Sequence, residues 1–162
     1  GTVVRLLKDH HPYETMAYDI FPLSGSIAPR QGLGRIGSLA EPMTLGELAR
    51  EAKKAFGVDQ VRVAGDVDMP VKQVAVCSGS GSGLMTAFLA SGADVYVSGD
   101  LKYHDGVDAG AAGRGLIDVG HFGTEIPVVA VLVEKLTALA ATADLPIKIT
   151  EYTSERAPYV MI

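Results

Sequence analysis

Two short apolar runs, Ala93-Asp94-Val95-Tyr96-Val97-Ser98 and Gly115-Leu116-Ile117-Asp118-Val119, constrain this fold more than any other feature. Each is followed at once by a glycine, Gly99 or Gly120, and an Ala-rich helical stretch, Tyr103 to Gly113, lies between them. Runs this short and this apolar read as buried strands. Strands that alternate with helices imply an α/β sheet that is at least partly parallel. In open α/β sheets, function collects at the carboxyl ends of the strands. There the first run delivers Asp100 and His104, and the second delivers His121 and Glu125.

The rest of the chain fits the same class. Val3 to Asp9 predicts the end of a helix, Met16 to Phe21 a short strand closed by Pro22, and Ser24 to Gln31 a loop. Gly32 to Leu39 predicts an edge strand, with the main boundary at Ala40 to Met43. Thr44-Leu45-Gly46-Glu47 is a capping-box pattern ahead of a helix on Leu45, Leu48, Ala49, Ala52 and Phe56, which Gly57 ends. Strands are expected at Val61 to Ala64 and Val71 to Cys77, a glycine-rich loop at Ser78 to Gly83, and a helix at Leu84 to Ala90. A long helix, Thr124 to Ala143, should carry Pro127 in its first turn, and Ile147 to Tyr152 should form a last strand.

Composition narrows the function classes. The chain has 162 residues, 48% of them apolar, enough for one packed domain or a domain with a fragment of another. Its net charge of −5, without a basic block, argues against nucleic acid as the main partner. No uninterrupted apolar stretch approaches the ~18 residues of a spanning helix, so no membrane partner is expected. Cys77 is alone, which excludes a disulfide framework and makes a cytoplasmic setting the default. The start, Gly1-Thr2-Val3-Val4-Arg5, has neither initiator Met nor signal-peptide pattern, so a chain that is processed, tagged or cut from something longer is expected.

Four motifs carry chemistry, each with a plainer alternative. Asp100 and His104 share a face if a helix starts between them; otherwise Asp100 caps the helix and His104 is a surface residue. His121 and Glu125 converge on one ion if the helix begins at His121; if it begins at Thr124, His121 sits in the turn. Ser78, Gly79, Ser80, Gly81, Ser82 and Gly83 either cradle an anion with their amides or simply join strand to helix. His10-His11-Pro12-Tyr13-Glu14 is either a ligand cluster or a turn. Gly32-Leu33-Gly34-Arg35-Ile36-Gly37 fits the dinucleotide pattern G-x-G-x-x-G, but loop precedes it and no helix follows at once, so it is not that fingerprint. Cys77 reads as a small buried residue rather than a nucleophile.

Taken together, HPYETMAYDIFPL (His11 to Leu23), GLGRIGSL (Gly32 to Leu39), AVCSGSGSGL with ADVYVSGDLKYHDGVDA (Ala75 to Ala109) and GLIDVGHFGTE (Gly115 to Glu125) resemble the Nif-three-like family (NGG-one-interacting factor three), often labelled GTP cyclohydrolase 1 type 2 homologue. The resemblance implies two α/β halves around a dinuclear metal site, with a ferredoxin-like domain inserted in some members. It makes residues 1–40 a remnant of that insert and 41–162 the second half of the metal-binding domain. The first half, with its His-His-Pro motif and a later Asp ligand, is absent, and His10-His11-Pro12 belongs to the insert motif instead.

By the same resemblance, His121 and Glu125 match metal ligands. Asp100 and His104 face the same cleft, for proton transfer or for orientation, and Ser78 to Gly83 lies close enough to receive an anionic group. The implied cofactor is a divalent metal (zinc, manganese or iron), two ions per intact site. The implied partners are a small-molecule substrate, nucleotide-like or phosphate-bearing, and further copies of the chain in a hexameric ring. Two functions follow as expectations: a metal-dependent hydrolase, or a metal-binding regulatory or protein-interaction module without catalysis.

Overall fold

The structure, a computed structural model, describes residues 2–13, 15–19 and 32–159. The chain divides into two compact units, Gly1–Gln31 and Gly32–Ile162. The first holds helix α1 (Thr2–His10), none of whose residues is buried. After it, His11 Nδ1 accepts the Tyr13 amide at 3.2 Å, so this part of the histidine cluster closes a turn; Glu14 lies outside the described residues, as does the loop expected at Ser24 to Gln31. Residues 16–19 form no strand, and the remainder of the strand expected there is also outside the described residues.

The second unit is a five-stranded sheet in the order β1-β3-β4-β5-β2. Its strands are β1 (Gly34–Thr44), β2 (Arg62–Ala64), β3 (Pro70–Ser80), β4 (Val95–Gly99) and β5 (Gly115–Asp118). The inner three run parallel, while β1 joins β3 and β2 joins β5 antiparallel. The helices are α2 (Leu45–Ala55), α3 (Met85–Ser91), α4 (Tyr103–Ala111), α5 (His121–Glu125) and α6 (Pro127–Thr142).

Strands β4 and β5 are buried along their whole length, as their uninterrupted apolar runs require. Alternation along them feeds two cores. Tyr96 and Leu116 join Phe88 and Ala109 on one face, where the Phe88 and Tyr96 rings stack at 5.2 Å. Val95, Val97, Ile117 and Val119 join Leu45 and Ala49 of α2 on the other. The capping box forms as expected: the Glu47 amide donates to Thr44 Oγ1 at 3.2 Å, and the Thr44 amide donates to Glu47 Oε2 at 2.8 Å. That second bond holds the Glu47 carboxyl below its ordinary pKa.

Four expectations need correction. The edge strand does not stop at Leu39 but runs through the expected boundary at Ala40 to Met43 as far as Thr44, with a register shift between Ser38 and Met43 where Pro42 cannot donate. The segment Ser78 to Ser80 is not loop but the bulged end of β3, made possible by the positive φ of Gly79 (+67°). The long helix is two helices: α5 starts at His121, and α6 starts at Pro127, whose nitrogen cannot donate to the preceding turn. Ile147 to Tyr152 is not a strand; it pairs with no described strand, and Ile147 and Tyr152 lie exposed.

Candidate metal centre

The site sits where β4 and β5 end side by side. Asp100 follows β4 with φ +51°, a left-handed conformation that Asp tolerates better than most side chains. His121 opens α5 directly after the β5 turn. The two loops touch: His121 Nδ1 lies 2.7 Å from Asp100 Oδ2, and His121 Nε2 lies 3.2 Å from Glu125 Oε2. Because α5 begins at His121, the four-residue spacing to Glu125 brings both side chains to one helix face. One imidazole is thus held between two carboxylates, all three about half exposed (48%, 52% and 53%).

This arrangement favours a cation. The hydrogen bond that His121 donates to Asp100, and then the charge of Glu125, raise the His121 pKa, against the opposing effect of desolvation. With Asp100 accepting from Nδ1, Nε2 is either protonated or directs its lone pair toward the Glu125 carboxylate. A divalent ion satisfies the second state. A carboxylate on the far nitrogen of a ligating histidine is a common way of orienting it. The nitrogen and oxygen donors suit zinc, manganese or iron. They make only part of a coordination shell: among the described residues, no group of three or more His, Cys, Asp or Glu side chains is placed to hold a metal ion.

Three residues not singled out from sequence build the site. Asp118, buried at the end of β5, accepts the Leu101 amide at 3.1 Å and the Gly120 amide at 2.9 Å, and pairs with Arg62. One carboxylate therefore pins both the loop carrying Asp100 and the loop carrying His121. Its sequence signal is a lone acid inside an apolar strand. Gly99 lets those loops meet, since a Cβ there would lie 2.6 Å from the His121 nitrogen. Thr124 accepts the Gly79 amide at 2.9 Å, which sets β3 against α5, and a Cβ on Gly79 would lie 2.5 Å from Glu125 Oε1.

The other expected site residues are placed differently. His104 is exposed on the first turn of α4, edge-on to Tyr103 at 5.4 Å, with no hydrogen bond among the described residues. Asp100 does not cap α4; Lys102 holds the cap position, and its amide donates to Asp105 at 2.7 Å. In the stretch expected as an anion cradle, the Gly79 amide is engaged by Thr124 and the Gly81 amide by the Gly99 carbonyl at 3.0 Å. Neither is free for an anion, and Gly81 is instead packed against Ser98 and Tyr96.

Residues 3–158 match the family model of Duf34/NIF3 (NGG1p interacting factor 3). A protein of Halalkalibacterium halodurans named GTP cyclohydrolase 1 type 2 homolog is 45% identical over 119 residues, 74% of this chain and 32% of its own length. A Bacillus subtilis protein of the same name is 37% identical over 160 residues, 99% of this chain and 42% of its own. The crystal structure of a Bacillus cereus protein related to NIF3 superposes with a TM-score of 0.79 at 33% identity, over 99% of this chain and 44% of that one. The chain thus spans under half the length of the curated relatives it matches. Sequence match and shared fold agree, and the chain belongs to the Duf34/NIF3 (NGG1p interacting factor 3) family.

Proposed function

We propose that His121 and Glu125 are two ligands of a dinuclear divalent-metal site completed outside this chain, and that the intact protein is a metal-dependent hydrolase of a nucleotide-like or phosphate-bearing substrate. The observation that carries this is the line Asp100–His121–Glu125, in which a carboxylate fixes one imidazole nitrogen and leaves the other facing a second carboxylate. When bound, such a metal lowers the pKa of water enough to supply a nucleophile near neutral pH. The chain's own residues do the rest. Asp100 holds the His121 proton at Nδ1 and fixes the ring. His104, exposed at the start of α4, exchanges protons with solvent. The relatives' shared name supports a nucleotide-like substrate, and the remnant of an inserted domain at residues 1–40 belongs to the same reading.

A second reading, a metal-binding interaction module without catalysis, is favoured by α6. Val128, Val131, Leu132, Leu136 and Leu139 are exposed along it, an apolar stripe suited to protein contact and to a homo-oligomeric ring. Among the described residues no helix is long and apolar enough to cross a membrane, and a cytoplasmic setting completes the proposal.

Metal uptake tests it. The chain, stripped with chelator and then titrated with zinc or manganese, should bind weakly through its two ligands, and His121→Ala should abolish that binding while far-ultraviolet circular dichroism stays unchanged. Undiminished uptake by a folded His121→Ala variant overturns the ligand assignment.

A further inference from the structure

The segment Gly32-Leu33-Gly34-Arg35 leads into strand β1 rather than a helix, unlike a dinucleotide fingerprint, yet it lines a cavity of about 360 Å³ within the Gly32–Ile162 unit. That volume is in the range of small-molecule sites. The cavity lies on the sheet face that α2 covers. Val76, Val97 and Phe56 give it an apolar lining, and Ser78 and Thr124 add hydroxyl groups. Arg35 is the sole charged residue among those lining it. Its Nη1 donates to the carbonyls of Gly32 at 2.9 Å and Gly34 at 2.8 Å, which holds the guanidinium against its own strand. Among the described residues no carboxylate pairs with it, although the chain is acidic overall.

Strand register orders these groups. Arg35 stands opposite Val76. Two residues further along β3 comes Ser78, and then Gly79, whose backbone lies against Glu125 and whose amide is bound by Thr124. The cavity therefore brings together a cation that no described carboxylate pairs with, an apolar lining, and Thr124, which precedes Glu125 in α5.

We propose that this cavity binds an aromatic or heteroaromatic ring that carries a phosphate group, with the phosphate on Arg35 and the ring on Val76, Val97 and Phe56. Guanidinium is suited to phosphate through paired N–H donors. This names a substrate class for the hydrolase reading and rests on that reading for its catalytic meaning.

Phenyl phosphate is the probe, titrated into isotopically labelled protein in the presence of EDTA so that binding is independent of metal. Amide shifts should concentrate at Gly34, Ser78 and Thr124. Arg35→Gln should weaken binding about tenfold or more, as expected for loss of one charge-assisted contact, and Arg35→Lys should retain part of it. Inorganic phosphate should bind more weakly than phenyl phosphate. Absence of localised shifts in the wild-type protein, equal affinity in a folded Arg35→Gln variant, or equal affinity for inorganic phosphate would each overturn the proposal. Each of these outcomes leaves the metal-uptake result standing, so the two readings fail separately.

Discussion

At the scale of single residues, the geometry turns on the proton of His121. Asp100 raises the His121 pKa above its ordinary 6.5 chiefly through their hydrogen bond. A group whose folded pKa is raised stabilises the fold fully below its unfolded pKa, and that stabilisation is lost as pH rises through the folded value. Metal at Nε2 competes with the second proton of the imidazolium while Asp100 keeps the one at Nδ1, so zinc affinity should climb over the same pH range. Asp100→Asn should move the His121 titration, followed by NMR of the ring protons, back toward the ordinary value and weaken zinc binding by about 10- to 100-fold. An unmoved titration would show that the contact is absent in solution. The spacing of His121 and Glu125 is legible in the sequence because a helix start fixes it. The contact between Asp100 and His121 is not, because it is made by two separate loops. For the same reason Asp100 and His104, equally spaced, do not form a pair: α4 begins at Tyr103, and Asp100 lies before it.

At the scale of elements, two loops meet because Asp118 binds an amide from each and Gly99 leaves them room. Asp118→Ala removes two amide contacts and the pairing with Arg62, and should cost about 2–3 kcal/mol in urea unfolding. Hydrogen exchange at the Leu101 and Gly120 amides should speed up with it. Asp118→Asn keeps one carbonyl acceptor and should cost less. Elements governed by local rules were readable in advance: the capping box at Thr44 and Glu47, the apolar runs of β4 and β5, and the stop at Gly57. Elements governed by pairing were not. Ser78 to Ser80 looks like a loop by composition, yet β4 extends it as strand through the contact of Ser80 with Gly99. Ile147 to Tyr152 has strand composition and finds no described strand to pair with.

At the scale of the whole molecule, the sheet separates two cores, and one contains a titratable group. Tyr96 is 2% exposed, and its hydroxyl donates to the Gly81 carbonyl at 3.1 Å. Burial pushes its pKa up to about 12 from 10.0. The folded state thus keeps a proton that the unfolded chain has released, so stability should fall as pH rises from about 10 to 12, by about 1.4 kcal/mol per unit. Tyr96→Phe should remove this alkaline slope at a cost of about 1 kcal/mol near neutrality, with urea midpoints across the pH range as the measurement. The α/β class was legible because parallel strands need crossovers. The cavity beside Arg35 was not, since it depends on the register of β1 against β3. The double tether at Asp118 also bears on recombination between relatives. A chimera whose exchange point falls between Asp100 and Asp118 takes one loop from each parent and inherits the clamp with only one of them, so the two loops should be exchanged as a single block.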